Sequence, residues 1–368
     1  MTGTSVSAVT AYTAHREWAK RPPDERYASV QALYEAARSR YARIEERATE
    51  TVGLRTEALD TDDLVIRNTS GRTAALTHWS FGQLATIASA PPSYLRTLPA
   101  AIASEAINYG LQWFARDEYQ LFIERAAPWT VHAITSPRYA RVQHHELAGR
   151  VLDLMAQRPA WHLPLGYKDG EFGAERVPSG AYLGDRDMFL FLVDGNRDLD
   201  DPTDSTHAGL FRGFILRNSD VGAAALTLDV FLFRKVCGNH IIWGFQHVAG
   251  FRRRHVGASI QSAWTTSLDN VRGALDADTA NDRALLLRAT SQELGATRDA
   301  VIDTAVRRLE VSQKQAGEAY TLAEEHETNP RSVWGFVQGL TRLSQRTPWQ
   351  DGRYVLDRAA SRLLTTVH

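Results

Sequence analysis

Six consecutive apolar residues, Met188 to Val193 (MFLFLV), constrain this chain more than any other stretch. An unbroken run of strand length reads as a β-strand covered on both faces, so further elements must pack on its sheet. Farther on, Leu226, Leu228, Val230 and Leu232 alternate with Thr227, Asp229 and Phe231, the pattern of a half-buried strand. Between them DGNRDLDDPTDST reads as an acidic loop.

The other elements follow from periodicity and punctuation. Residues 1–21 read as a flexible arm. Pro22-Pro23-Asp24 opens an expected helix with Val30, Leu33, Ala37 and Tyr41 on one face, ended in solvent by Glu45, Glu46 and Arg47. Leu64–Ile66 and Ala74–Leu76 around Asn68-Thr69-Ser70-Gly71 read as a hairpin. Ser80 is the expected N-cap of FGQLATIA, and Pro91-Pro92 separate that helix from a second one. Strands are expected at 121–124 and 131–135, a turn at Ser136-Pro137-Arg138-Tyr139, and a helix over 146–156 with Leu147, Val151 and Leu154 inward. Beyond Gly257 the pattern is helical.

These elements predict an α+β fold: a central antiparallel or mixed sheet from residues 50–77 and 119–245, packed helices, and an all-α C-terminal region. The expected divisions are a flexible arm (1–21), N-terminal helices with a β-hairpin (22–125), a β-rich core carrying a basic and aromatic segment (126–257) and a helical region (258–368).

The single cysteine excludes an internal disulfide framework and fits a reducing compartment. With no signal-peptide pattern and no apolar run of membrane-spanning length, the expectation is a cytoplasmic protein without a membrane partner. Net charge is −1, so affinity for a polyanion must come from a local patch.

Such a patch is written between Phe211 and His255. Seven cations (Arg212, Arg217, Arg234, Lys235, Arg252, Arg253 and Arg254) stand there against two acids, with Trp243, Phe245 and Phe251 among them. Cations that follow phosphates and rings that stack bases are the pairing that holds single-stranded nucleic acid. The expected nucleic-acid-binding residues are Arg138, Tyr139, Arg212, Arg234, Lys235, Asn239, Trp243, Arg252, Arg253, Arg254 and His255, forming a continuous cationic trough. The competing readings are core aromatics, a solvated arginine turn, and Arg234 as a buried arginine paired to Asp220 or Asp229.

Other chemistry is weaker. Cys237, His240, His247 and His255 match no standard zinc spacing. Asp194, Asn196 and Asp198 have calcium-loop spacing, but Leu199 replaces the required glycine and Ser205 the bidentate glutamate. Phosphate-binding glycine loops and a nucleophile elbow are absent from the sequence. No cofactor and no catalytic residue is assigned.

The motifs RNSDVG (217–222), FRKVCGN (233–239) and RRHVG (253–257) resemble the phage/plasmid-like family catalogued as domain of unknown function number 932. Its serine–acid–valine–glycine step, its arginine and cysteine-x-asparagine, and its arginine–histidine pair fall on Ser219 to Gly222, Arg234, Cys237, Asn239, Arg254 and His255. Ser136–Tyr139, SFGQLATIASAPPSYLRTLP and NPRSVWGFVQGLTRLSQ are also similar, so the likeness runs from about Trp18 onward. His240 stands where the family has glycine, which puts that turn in question. The resemblance implies a mobile-element setting and little mechanism. A weaker, fold-level analogy points to ring-forming single-strand annealing proteins.

The resulting expectation is a single-stranded-DNA-binding or annealing protein of replication or recombination, with homo-oligomers formed through the C-terminal helices. One alternative is a metal-dependent nuclease or phosphodiesterase using Asp220, His255 and acids of the 194–204 loop. The other is a structural or host-interaction protein.

Overall fold

The computed structural model describes residues 18–50, 53–67, 72–114, 118–167, 175–199, 209–234, 239–242, 251–257, 280–364 and 366–367. The fold is α+β, but the strands form two main sheets rather than one.

The chain enters through Trp18, which is buried with its ring 5.0 Å from Phe81. Trp18 therefore belongs to the core rather than to an arm, and Ala19 packs against that core. The short strand β1 (Glu25–Arg26) precedes helix α1 (Val30–Tyr41). Ser29, not Pro22, starts that helix: its hydroxyl accepts from the Ala32 amide. Asp24 caps a remote helix instead, accepting the Gln350 amide at 2.7 Å. Glu45, Glu46 and Arg47 lie in a strand, β2 (Ile44–Glu50), and not at a helix end. β2 is an edge strand, where charged residues are tolerated.

The first sheet continues with β3 (Arg55–Ala58), β4 (Leu64–Arg67), β5 (Thr73–Leu76), β6 (Glu118–Glu124) and β7 (Thr130–Thr135), in the order β2-β6-β7-β5-β4-β3. The hairpin read from Leu64 to Leu76 is present as β4/β5. Because β6 pairs with β7, a boundary at 125/126 would cut through this sheet. Helices α2 (His78–Ile87), α3 (Pro92–Leu95) and α4 (Ala100–Phe114) intervene between β5 and β6. Thr77 is the N-cap of α2, and Ser80 completes a capping box at its third position.

Helix α5 (His144–Gln157) leads into the second sheet. Its further strands are β8 (Trp161–His162), β11 (Ala181–Leu183), β12 (Met188–Leu199), β13 (Leu210–Asn218), β14 (Leu226–Arg234), β15 (Asn239–Ile242) and β16 (Phe251–Arg253); β9 (Leu165–Tyr167) and β10 (Arg176–Pro178) pair separately. One face, with Leu190, Leu192, Phe214, Leu216, Leu226 and Leu228, packs on α1 and α5.

The C-terminal region holds α6 (Ala280–Ser291), α7 (Arg298–Arg308), α8 (Gln313–His326), α9 (Val333–Arg346) and α10 (Gln350–Leu364) around a core of their own. Tyr354 of α10 joins Phe189, Phe191, Ile215 and Phe231 on the opposite face of the second sheet. The MFLFLV strand is thus covered on both sides as read. The strand over 226–232, expected to be half-buried, is also covered twice, because α10 lies over Thr227 and Phe231. No helix among the described residues is long and apolar enough to cross a membrane.

Candidate nucleic-acid interface

Two segments far apart in sequence meet at one edge of the second sheet. After β7 the chain turns, with the Tyr139 amide donating to the Ser136 carbonyl at 3.0 Å. It then bridges the segment that follows β16: Tyr139 pairs with Val256, and the Ala140 amide donates to the His255 carbonyl at 2.9 Å. The Tyr139 and His255 rings stack at 5.0 Å, and the Tyr139 hydroxyl donates to the Ser219 carbonyl at 2.6 Å. His255 is buried, with Nδ1 3.1 Å from the Ala140 carbonyl. Burial above all holds its imidazole down at about 4, so it is neutral near pH 7. Tyr139 and His255 therefore act as a clamp beneath the edge, not as contacts on it.

Above the clamp, Arg138, Arg252, Arg253 and Arg254 are exposed. Among the described residues no carboxylate lies within ion-pair reach of Arg138, Arg253 or Arg254. β16 pairs with β14, placing Arg253 opposite Leu226 and Arg252 opposite Thr227. Cross-strand partners share a face, so the two arginines point to opposite sides of the sheet. Arg253 lies on the α1/α5 side, its guanidinium 5.7 Å from the Phe251 ring. Arg252 lies on the α10 side, within the field of Asp229. The strand pleat thus splits the expected continuous trough into two cationic flanks.

Other expected contacts sit elsewhere. Arg212 is only 1% exposed, and burial at that level keeps its guanidinium from any surface ligand. Arg217 donates from Nε (3.0 Å) and Nη2 (2.6 Å) to Asp187. Phe251 packs against the core and is no free stacking ring. Lys235, Trp243, Phe245, Cys237 and His247 lie outside the described residues, as do the side chains of Arg234, Asn239 and His240.

The RNSDVG motif is a buried staple between the two sheets. Asn218 donates from Nδ2 to Nδ1 of His144 at 3.0 Å, which leaves the His144 proton on Nε2, 3.0 Å from Asp220. Burial opposes ionisation of Asp220, yet His144, Arg40 and Arg141 together hold its carboxyl below the usual range. Arg141 also donates to the Asp220 carbonyl and lies 3.9 Å from the Phe122 ring. The Val221 carbonyl accepts from Trp79 (2.9 Å) and Gln83 (2.8 Å) of α2. With both nitrogens engaged, His144 cannot serve as a general base. The space beside it, about 10 Å³, is of the order of a single water.

The same facts bear on the nuclease alternative. Asp220 and His255 have internal partners, and Asp194 accepts the Asn196 amide at 3.0 Å within the irregular part of β12. Among the described residues no three His, Cys, Asp or Glu side chains are placed to hold a metal. The remainder of the acidic loop, 200–208, lies outside the described residues.

Sequence reasoning missed a second polar centre. At the β11–β12 turn, Asp185, Arg186 and Asp187 face Arg21, Asp24 and His78 beside a cleft of about 410 Å³. The available signal was a charged triplet placed directly before the MFLFLV strand, where side chains have little access to water.

No protein family, curated protein or solved structure matches the chain.

Proposed function

We propose that this protein binds single-stranded nucleic acid along the edge made by the 136–140 turn and β16. Arg138, Arg253 and Arg254 contact phosphates there, with Arg252 on the second flank. One observation carries this reading: among the described residues Arg138, Arg253 and Arg254 are exposed and make no ion pair, whereas Arg21, Arg43, Arg186, Arg217 and Arg331 are each ion-paired. In a chain of net charge −1, uncompensated arginines gathered at one edge form a local positive field. The resemblance to the phage/plasmid-like family would set this binding in replication or recombination of a mobile element.

The test is fluorescence anisotropy of a labelled single-stranded oligonucleotide across a salt series. Each phosphate contact contributes a slope of about −0.7 in log K against log salt on single strands. Replacing Arg138, Arg253 and Arg254 together by alanine should flatten the slope by about 2. Absence of binding at low salt, or a slope unmoved by the triple variant, overturns the reading.

A further inference from the structure

Helix α4 is fixed from its inner side. Ala100, Ala103, Ile107 and Leu111 are buried, and Gly110 lets the helix approach the Ala88 carbonyl, which a Cβ at that position would strike. The Ala100 amide at the start of the helix donates to Asp62 at 2.7 Å. Asn108 donates to the Thr56 carbonyl at 2.9 Å and accepts the Thr56 amide at 2.8 Å, so its side chain takes the place of a further strand beside β3. The helix thus closes part of the edge of the first sheet and turns its other side outward.

That outward side is apolar. Ile102, Tyr109 and Trp113 are 52%, 65% and 58% exposed, with the half-buried Ala106 among them, and the Tyr109 and Trp113 rings lie 6.3 Å apart. Steps of four, three and four residues put 102, 106, 109 and 113 on one line of the helix, the spacing of a coiled-coil seam. Glu105, the one charged residue of α4, flanks this seam with Gln112, and both are exposed. On the C-terminal helices the exposed large apolar side chains among the described residues are solitary, Leu287 on α6 and Val355 on α10, as is ordinary for a protein surface.

We propose that α4 packs antiparallel on α4 of a second copy of this chain, forming a two-fold dimer. The seam reads alike in both directions. Turned end for end about its middle, it sets Ile102 against Trp113 and the small Ala106 against Tyr109 of the second copy, each contact occurring twice. The same operation brings the Glu105 carboxylate towards the Gln112 amide of the second copy, an acceptor to a donor. A lipid surface is met by lysines and arginines flanking the apolar face, whereas this face carries an acid. About half of each exposed side chain, from totals of about 150–250 Å² for the aromatics, gives roughly 500 Å² per copy over Ile102, Glu105, Tyr109, Gln112 and Trp113. The pair then buries about 1,000 Å², the lower bound of a specific interface, so the dimer is a weak one. This inference does not depend on the arginine edge.

Sedimentation equilibrium of the full chain from about 1 to 200 μM tests it, and the mass should rise from one chain to two across that range. Tyr109→Glu, which adds a carboxylate to the seam on each copy, should hold the chain at single mass throughout. Ile102→Glu and Trp113→Lys should each weaken the dimer about tenfold or more, and the two combined should dimerise better than either alone. Only the antiparallel register gives that recovery, since a parallel one sets like charges together. Val355→Lys on α10 should leave the mass curve unchanged. All these positions are exposed, so the urea midpoints of the variants should match that of the natural chain. A chain that stays single at 200 μM, a dimer indifferent to Tyr109→Glu, or one lost in Val355→Lys overturns the proposal. So does binding to phosphatidylcholine vesicles that Tyr109→Glu removes while the natural chain stays single in solution, which would give this face to a lipid surface.

Discussion

Arg217 and Arg253 both stand near strand ends within the segment from Phe211 to His255, and each guanidinium lies over a phenylalanine, Phe189 at 5.0 Å and Phe251 at 5.7 Å. Arg217 is locked, with two nitrogens on Asp187 and the Tyr354 ring 5.1 Å away. Arg253 is exposed and makes no ion pair among the described residues. What separates them is whether the fold delivers an acid from a distant turn. Asp187, thirty residues upstream of Arg217, is such an acid. At the inter-sheet joint, acids arrive from three separate segments as Asp24, Asp187 and Asp351; at the β16 edge none of the described acids is delivered to Arg253. Local basic composition therefore does not separate structural from accessible arginines.

The largest break in this contrast should come from the joint side. Asp220→Ala removes the buried partner of His144 and is expected to cost about 3–5 kcal/mol, because it strands polar groups that have lost access to water. Urea unfolding measures it. A loss below about 1 kcal/mol would mean that the staple is not part of the stabilising core.

A conservative exchange at the two compared positions sharpens the point. Arg217→Lys cannot reproduce the two-nitrogen contact or the stacking, and should cost about 1–3 kcal/mol. Arg253→Lys should stay within about 0.5 kcal/mol in unfolding. Equal costs would erase the distinction.

The joint should also carry the pH dependence. Glu124 accepts from His132 and Arg43, which hold its carboxyl down at about 2. Its folded value lies below its unfolded one, so its stabilisation is present above about 4.5 and is lost as pH falls towards 2. Asp185 has the opposite sign. Burial raises it from 3.8 to about 6, so its contribution is greatest below 3.8 and is lost as pH rises through 6. Glu124→Gln should flatten the acid limb of a thermal-stability profile, and Asp185→Asn the segment between 4 and 6. A profile unchanged by either would refute the assignment.

Much of the fold was legible because buried strands and amphipathic helices mark the chain at short range. The β4/β5 hairpin, helix α5 and the doubly covered β12 all followed from such marks. β2 did not, because IEERATE has no apolar alternation, and its place depends on pairing with β6. Of the candidate site, the exposure of Arg252 to Arg254 was readable from three adjacent cations. The burial of Arg212 was not, since it depends on packing by elements distant in sequence. Asp185 was missed for the same reason.

The smallest effect is the most specific to the pleat of β16. Arg252 and Arg253 are neighbours in sequence but lie on opposite faces, opposite Thr227 and Leu226. A strand of nucleic acid following one face meets one of them and not the other. Arg252 shares its face with Asp229, whose carboxylate draws on the same local field. Arg253 has no such competitor among the described residues and is the better phosphate contact. Arg253→Ala should therefore flatten the salt slope by about 0.7, the share of one phosphate, while Arg252→Ala leaves it nearly unchanged. The reverse result would place the nucleic acid on the α10 side of the sheet. Equal losses would mean that the ligand wraps the edge and meets both flanks.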